Sequence, residues 1–131
     1  MMLMKYWVIN HSWESFRRTK EYCGFDNLPD QERINIDDKI IYYGQGLVFG
    51  IFEATEHCYN EFRKWERNYP HQVKLKPIVI AKGGLMAKPL QDKIQAQKAQ
   101  GGSSNLVELS ENEFNQIKEA IETGKKELQF T

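Results

Sequence analysis

The chain has 131 residues, room for one compact domain with one core, and its 12% aromatic content beside 40% hydrophobic and 27% charged residues excludes a disordered segment. Eighteen basic and eighteen acidic side chains cancel, so total charge gives no sign of a polyanionic partner. No apolar run approaches the roughly 18–20 residues that span a bilayer, and "MMLMK" lacks the length and cleavage region of a secretory signal, so the expectation is a cytoplasmic protein without membrane contact.

Taken in chain order, residues 4–10 read as a strand, because Tyr6, Trp7, Val8 and Ile9 are aromatic and β-branched. Tyr6–Ile9 are expected to plug the core. Ser12 is placed as an N-cap for a short helix over about 13–21, with Trp13 and Phe16 on one face. Residues 24–38, "GFDNLPDQERINIDD", carry Gly, Asn, Pro and Asp with weak periodicity and are expected to form a surface loop. "KIIYYGQGLVFGIFEATEHCY" reads as a hairpin: a strand over 39–43, a tight turn at Gly44-Gln45-Gly46 and a longer strand over 47–56. Both arms are apolar on both faces, which predicts a central position, and Gly50 marks a bulge or a close backbone approach.

Residues 57–68 are polar and aromatic, after which 69–80 return to strand, with Pro77 demanding an edge or a bulge. A polar helix over 89–98 starts at a Pro, residues 101–104 form a break, and "NLVEL" reads as a short strand. For the last helix, Ser110 and Glu113 make a capping box, Leu109 and Phe114 stand at staple positions, Phe114, Ile117 and Ile121 form a stripe, and Gly124 sits at the C′ position. "KKELQF" is a candidate terminal edge strand. Short strands in consecutive antiparallel pairs with few helices predict an α+β fold whose sheet curls into a small barrel.

Chemistry-bearing patterns are sparse. His11, His57 and His71 are scattered and no C-x-x-C or H-x-x-x-H spacing occurs, so no metal site is expected, and Cys23 and Cys58 read as small buried hydrophobes. No nucleophile elbow or phosphate-cradling glycine loop is present, and neither catalytic residues nor a cofactor are expected. The aromatics say more. Trp13, Phe25, Tyr43, Trp65 and Tyr69 lie at strand ends or in loops, most of them flanked by polar residues; singly they cover a core rim, but together they have the makings of a stacking site for a splayed-out base. Between residues 63 and 98, nine Lys or Arg face Glu66 and Asp92 alone, a local excess that is compatible with phosphate contact or with a solvated face.

In order and spacing, "MKYWVINHSWESF", "DDKIIYYGQGLVFGIFEAT", the lone Trp65, "YPHQVKLKPI" and "QGGSSNLVELSENEFNQI" resemble the blocks of EVE domains, members of the PUA-like superfamily that also includes the YTH and ASCH domains. The resemblance covers about residues 4–122. It implies a pseudo-barrel with a mostly antiparallel curled sheet flanked by short helices, and a base-binding pocket near the start of the chain. By position, Asn10 and Ser12 would address the base edge, Trp65 would fall near a cage tryptophan, and Tyr43 and Gly44 would sit at the pocket end of the hairpin; from the loop aromatics themselves, Trp65 with Phe25 or Trp13 is expected to sandwich the ring and Tyr69 to line the same pocket. From the local basic excess, and not from the resemblance, Arg63, Lys64 and Arg67 are the candidates to hold phosphates. One departure stands out: many relatives carry a tryptophan after the first helix, whereas this chain has "YCGF", so Cys23 takes its place and only Tyr22 or Phe25 can compensate.

The resulting expectation is a non-enzymatic nucleic-acid-binding module that recognises a modified or flipped base in DNA or RNA. Two alternatives stay open. One is a small ASCH-like enzyme acting on RNA or a modified nucleoside, which would pair Lys5 or His11 with Glu14 or Glu53 for acid–base work. The other is a protein-interaction module without nucleic acid.

Overall fold

The computed structural model describes residues 3–131. Ten elements follow in order: β1 (Tyr6–Asn10), α1 (Trp13–Arg18), β2 (Tyr22–Phe25), α2 (Leu28–Arg33), β3 (Lys39–Gly44), β4 (Leu47–Tyr59), β5 (His71–Met86), α3 (Lys88–Ala99), β6 (Leu106–Leu109) and α4 (Glu111–Glu122). The strands form a single curled sheet in the order β2-β5-β4-β3-β1-β6. Its pairs are antiparallel except β1 with β3. That pair is parallel because α1, β2 and α2 intervene, the long crossover that a parallel neighbour needs.

Side chains alternate between two apolar layers, one on each face of the sheet. From β1 and β3, Val8, Ile41 and Tyr43 join the layer that α3 and α4 cover with Leu90, Ile94, Phe114 and Ile117. Trp7, Ile9, Ile40 and Tyr42 point the other way, to Phe16 of α1 and to Cys23 and Phe25 of β2. Continuously apolar strands therefore occupy the centre of the sheet, as their composition demanded. Their register is pinned at the edge by Asp38, 1% exposed, whose carboxylate accepts from the Trp7 indole N–H at 2.9 Å and from the backbone N–H groups of Lys5 and Asn35 at 2.9 and 2.8 Å.

The β3–β4 turn needs two left-handed residues, Gln45 at φ 53° and Gly46 at φ 86°, the backbone twist that suits a two-residue hairpin. In β4 the layer assignment flips between Phe49 and Ile51, and the register with β5 shifts there, so Gly50 sits at a bulge. Pro77 likewise lies at a register shift, opposite Phe52.

Four sequence expectations change. The first helix ends at Arg18 rather than near 21, because the chain must turn back to place Tyr22–Phe25 as a strand against His71–Lys74. The stretch 24–38 is not a plain loop: Asn27 caps α2 through a bond from the Asp30 N–H, and a proline occupies its first turn. Strands β4 and β5 outrun their expected ends, since each supports the other through bulges as far as Tyr59 and Met86. Residues 125–130 make no strand, only an isolated bridge from Glu127 to Met86. The capping box of α4 is fully formed, and Gly124 stands beyond it at φ 72°.

A candidate nucleic-acid interface at the end of the first strand

Three local devices build the site. The first is the join between β1 and α1. Ser12 caps α1, its hydroxyl accepting from the Ser15 N–H at 3.1 Å, so Asn10 and His11 are the residues left to emerge between strand and helix. Asn10 is oriented from β6's approach: its side-chain N–H₂ donates to Ser104 O at 3.0 Å and its backbone N–H to Asn105 O at 2.9 Å. The side-chain oxygen of Asn10 is then the free acceptor at the rim.

The second device is the hairpin end. His11 N–H donates to Tyr43 O at 2.8 Å, and a Cβ at Gly44 would stand 1.7 Å from the His11 carbonyl oxygen. Only glycine lets the hairpin approach so closely, and the approach presses His11 inward among Tyr42, Tyr69 and Trp65, with ring centroids 5.8, 4.8 and 5.5 Å away. Burial, and secondarily the Arg67 cation, lower the His11 pKa to about 4 against a smaller opposing pull from Asp26, so the ring is neutral at physiological pH. Its buried Nε2 has no hydrogen-bond partner among the described residues.

The third is the loop before β5. Gln72, wholly buried, donates from its side chain to Phe62 O at 2.7 Å and Tyr69 O at 2.9 Å, and accepts from Phe62 N–H at 3.0 Å. This clamp folds the loop so that Trp65 and Tyr69 pack edge-on, 5.5 Å apart and 84° inclined, against the side-chain-free face of Gly24. Arg67 then reaches across Tyr69, 4.5 Å above the ring, to pair with Asp26 at 2.7 Å.

The outcome is a polar cleft of about 90 Å3 between Asn10, His11 and Ser12 on one side and Gly24, Phe25 and Asp26 on the other, with Arg67, Tyr69 and Asn105 closing it. Of the residues singled out from sequence, Asn10, Ser12, Phe25, Tyr69 and Arg67 meet here. Trp65 does not line the cleft: it is 7% exposed, lies behind Tyr69, and its indole N–H donates to Ser15 O at 3.2 Å. Tyr43 faces a separate depression with Gln91 and Ile94, and Gly44 is buried under His11. Trp13, 46% exposed, opens onto a different, apolar groove. Arg63 and Lys64 are exposed on the loop, Arg63 donating to Asn60 O at 2.8 Å and the Lys64 carbonyl accepting from Arg18 at 3.2 Å.

Sequence reading passed over Gly24, Asp26 and Asn105 and gave His11 a part only in the enzyme alternative. The available signal for His11 was its position: it follows a strand whose alternation aims residue 11 inward. Cys23, in the place of the family tryptophan, is wholly buried in the core and does not face the cleft; burial drives its thiol pKa far up. Phe25, two residues on, supplies the aromatic wall, while Tyr22 stacks on Phe62 at 5.9 Å. None of the acid–base pairs considered forms: Glu14 pairs with Arg17 at 3.1 Å and Glu53 with Lys39 at 2.5 Å.

No family model and no curated protein matches the chain. Solved structures do. The Mmi1 YTH domain, solved in complex with RNA, aligns at a TM-score of 0.66 and 13% identity over 92% of this chain and 79% of that one. Human THYN1, solved with DNA containing 5-methylcytosine, aligns at 0.54 and 12% over 90% and 98%. A hypothetical protein from Leishmania major aligns at 0.64 and 13% over 92% and 96%. This is the PUA-like fold. Within it, the curled six-stranded sheet with four short helices is the α+β pseudo-barrel that the sequence blocks implied. Among the described residues no helix is long and apolar enough to cross a membrane.

Proposed function

We propose that this protein is a nucleic-acid-binding module, not an enzyme, that accepts an unpaired or flipped modified base in the cleft between β1, β2 and the loop before β5. The observation that carries the reading is the convergence, at one cleft, of a stacking ring (Tyr69), an amide acceptor at its rim (Asn10) and, just beneath its surface, a neutral imidazole (His11) whose buried Nε2 has no partner among the described residues. These are the groups that hold a base by its face and read its edge. The PUA-like fold supports it, since Mmi1 and THYN1 carry RNA and methylated DNA on the same architecture.

At about 90 Å3 the cleft is smaller than the roughly 300 Å3 lower bound for a small-molecule site. A base therefore enters as Arg67 swings off Tyr69 and Asp26. Both partners of that pair are largely exposed, so it opens at little cost. The freed guanidinium, with Arg63 and Lys64, meets the phosphates flanking the base. Tyr69 takes over the stacking role expected of Trp65, which instead backs it.

The test is a titration of short oligonucleotides, single-stranded and duplex, DNA and RNA, carrying cytosine or 5-methylcytosine, against wild type, Tyr69→Ala and Asn10→Ala. Loss of the stacking ring should weaken binding by about 5- to 150-fold, the equivalent of 1–3 kcal/mol. Identical affinities for all three proteins would refute the cleft as the binding site.

A further inference from the structure

We propose a second ligand site, for an aromatic acid: a planar apolar ring body carrying one carboxylate, sulfonate or phosphate. The site is the groove of about 610 Å3 that begins at Trp13, one residue beyond the Ser12 of the polar cleft. Its volume lies within the range of small-molecule pockets.

Rings make the floor. Phe16 and Phe49 stack at 5.1 Å and 24°, and Trp13 leans over both with centroids 5.7 and 5.1 Å away. The facing wall is the end of β5, where Ile80 is 36% exposed and Gly83 and Gly84 adopt φ 76° and 80° without side chains. A Cβ at Gly83 would meet nothing within 4 Å, so the wall is open to an entering group. Phe16 and Phe49 are nearly covered, at 2% and 3% exposed, so the accessible apolar surface of the groove is given mainly by Trp13 at 46% and by Ile80, and that surface is open to a partner.

Polarity then selects the class of occupant. The neutral polar side-chain groups of the lining are the Gln45 amide, whose Oε1 already accepts the Trp13 backbone N–H at 3.0 Å, and the Trp13 indole N–H. The side chains thus offer only two neutral groups with which to read the edge of a nucleobase. The charged lining groups are Lys20 and Lys82, with no carboxylate in the lining. Neither lysine has an ion-pair partner among the described residues, and Lys20 Nζ stands 5.0 Å above the Phe16 ring. The two lysines, Lys20 over the Phe16 ring and Lys82 on the facing wall, complement a flat apolar body with an anionic head: Trp13 and the apolar wall take the body and the lysines take the charge.

The experiment is an NMR titration of ¹⁵N-labelled full-length protein with 2-naphthoate, and with neutral 2-naphthamide as control. Saturable shifts at the amides of Gly83, Gly84 and Gln45 and at the Trp13 indole are expected, while Asp26 and Asn105 stay unmoved. Lys20→Gln with Lys82→Gln, both exposed and harmless to folding, should weaken naphthoate about tenfold and leave naphthamide unchanged. Trp13→Ala should weaken both. The absence of saturation into the millimolar range, shifts confined to the polar cleft, or equal naphthoate affinity in the lysine variant would each overturn the proposal. Shifts in the groove produced by an oligonucleotide and not by naphthoate would overturn it too, and would give the groove to nucleic acid.

Discussion

His11 illustrates how a neighbour's missing side chain sets another residue's chemistry. Because Gly44 has no Cβ, the hairpin forces the imidazole under cover, and burial lowers its pKa to about 4 from the ordinary 6.5. The folded state then holds fewer protons than the unfolded one between those values, so stability is complete above about pH 6.5 and declines as the pH falls toward 4. The shift corresponds to about 3 kcal/mol at most. Denaturation midpoints measured from pH 7 to 4 should follow that decline, and the imidazole resonances should place the His11 titration near 4; Arg67→Ala should move it upward. Gly24 is the converse case. A Cβ there would lie 2.4 Å from the Tyr69 Cβ and 2.9 Å from Trp65 Cζ3, so Gly24→Ala should cost about 1–3 kcal/mol in unfolding free energy and should displace Tyr69, with oligonucleotide affinity falling alongside.

Among the elements, the loop between β4 and β5 is the one whose structure is supplied from outside itself. It has no ladder of its own, and its bends are satisfied by the Gln72 side chain, while Gln31 of α2 donates to the Gln72 and Cys58 carbonyls at 2.7 and 2.9 Å. Replacing Gln72 by Leu keeps the volume and removes three hydrogen bonds to the loop. The expected loss is about 1–3 kcal/mol of stability, read by urea midpoint, with faster amide exchange concentrated in residues 60–70. An affinity that survives this change would mean that the loop's geometry is irrelevant to the site. By contrast, α4 carries its own instructions: Ser110 and Glu113 satisfy each other's backbone groups within four residues, and for that reason it was legible before any contact was known.

For the molecule as a whole, charge is arranged and not accumulated. Three of the basic residues between 63 and 98 are tied up, Arg67 with Asp26, Lys88 with Asp92 and Lys93 with Glu113, at 2.7, 3.2 and 2.9 Å. Two of the partner carboxylates, Asp26 and Glu113, lie outside the stretch, so the fold offsets more of its cationic excess than a count of residues 63–98 shows, although the exposed Arg67–Asp26 pair opens at little cost. If Arg63, Lys64 and Arg67 meet phosphates, replacing all three by Ala should reduce the magnitude of the slope of log affinity against log salt by about 2–3, roughly 0.7–0.9 per contact. The same slope in wild type and triple variant would remove those residues from the interface.

Residues near one another in the chain determined much of this protein by themselves. Alternation set the two layers of the sheet, a Gln-Gly turn set the central hairpin, caps set α1 and α4, and the ordered blocks pointed to the PUA-like fold. Two short elements, β2 and α2, escaped because four and six residues carry too little periodicity to declare themselves; β2 exists only because β5 is there to pair with it. The tertiary structure alone decided which aromatic faces the cleft and which backs it. Tyr69 and Trp65 are both loop aromatics four residues apart, and nothing local separates them. Their roles divide because Gln72 bends the loop against Gly24, a contact that turns one ring toward the opening and presses the other into the interior.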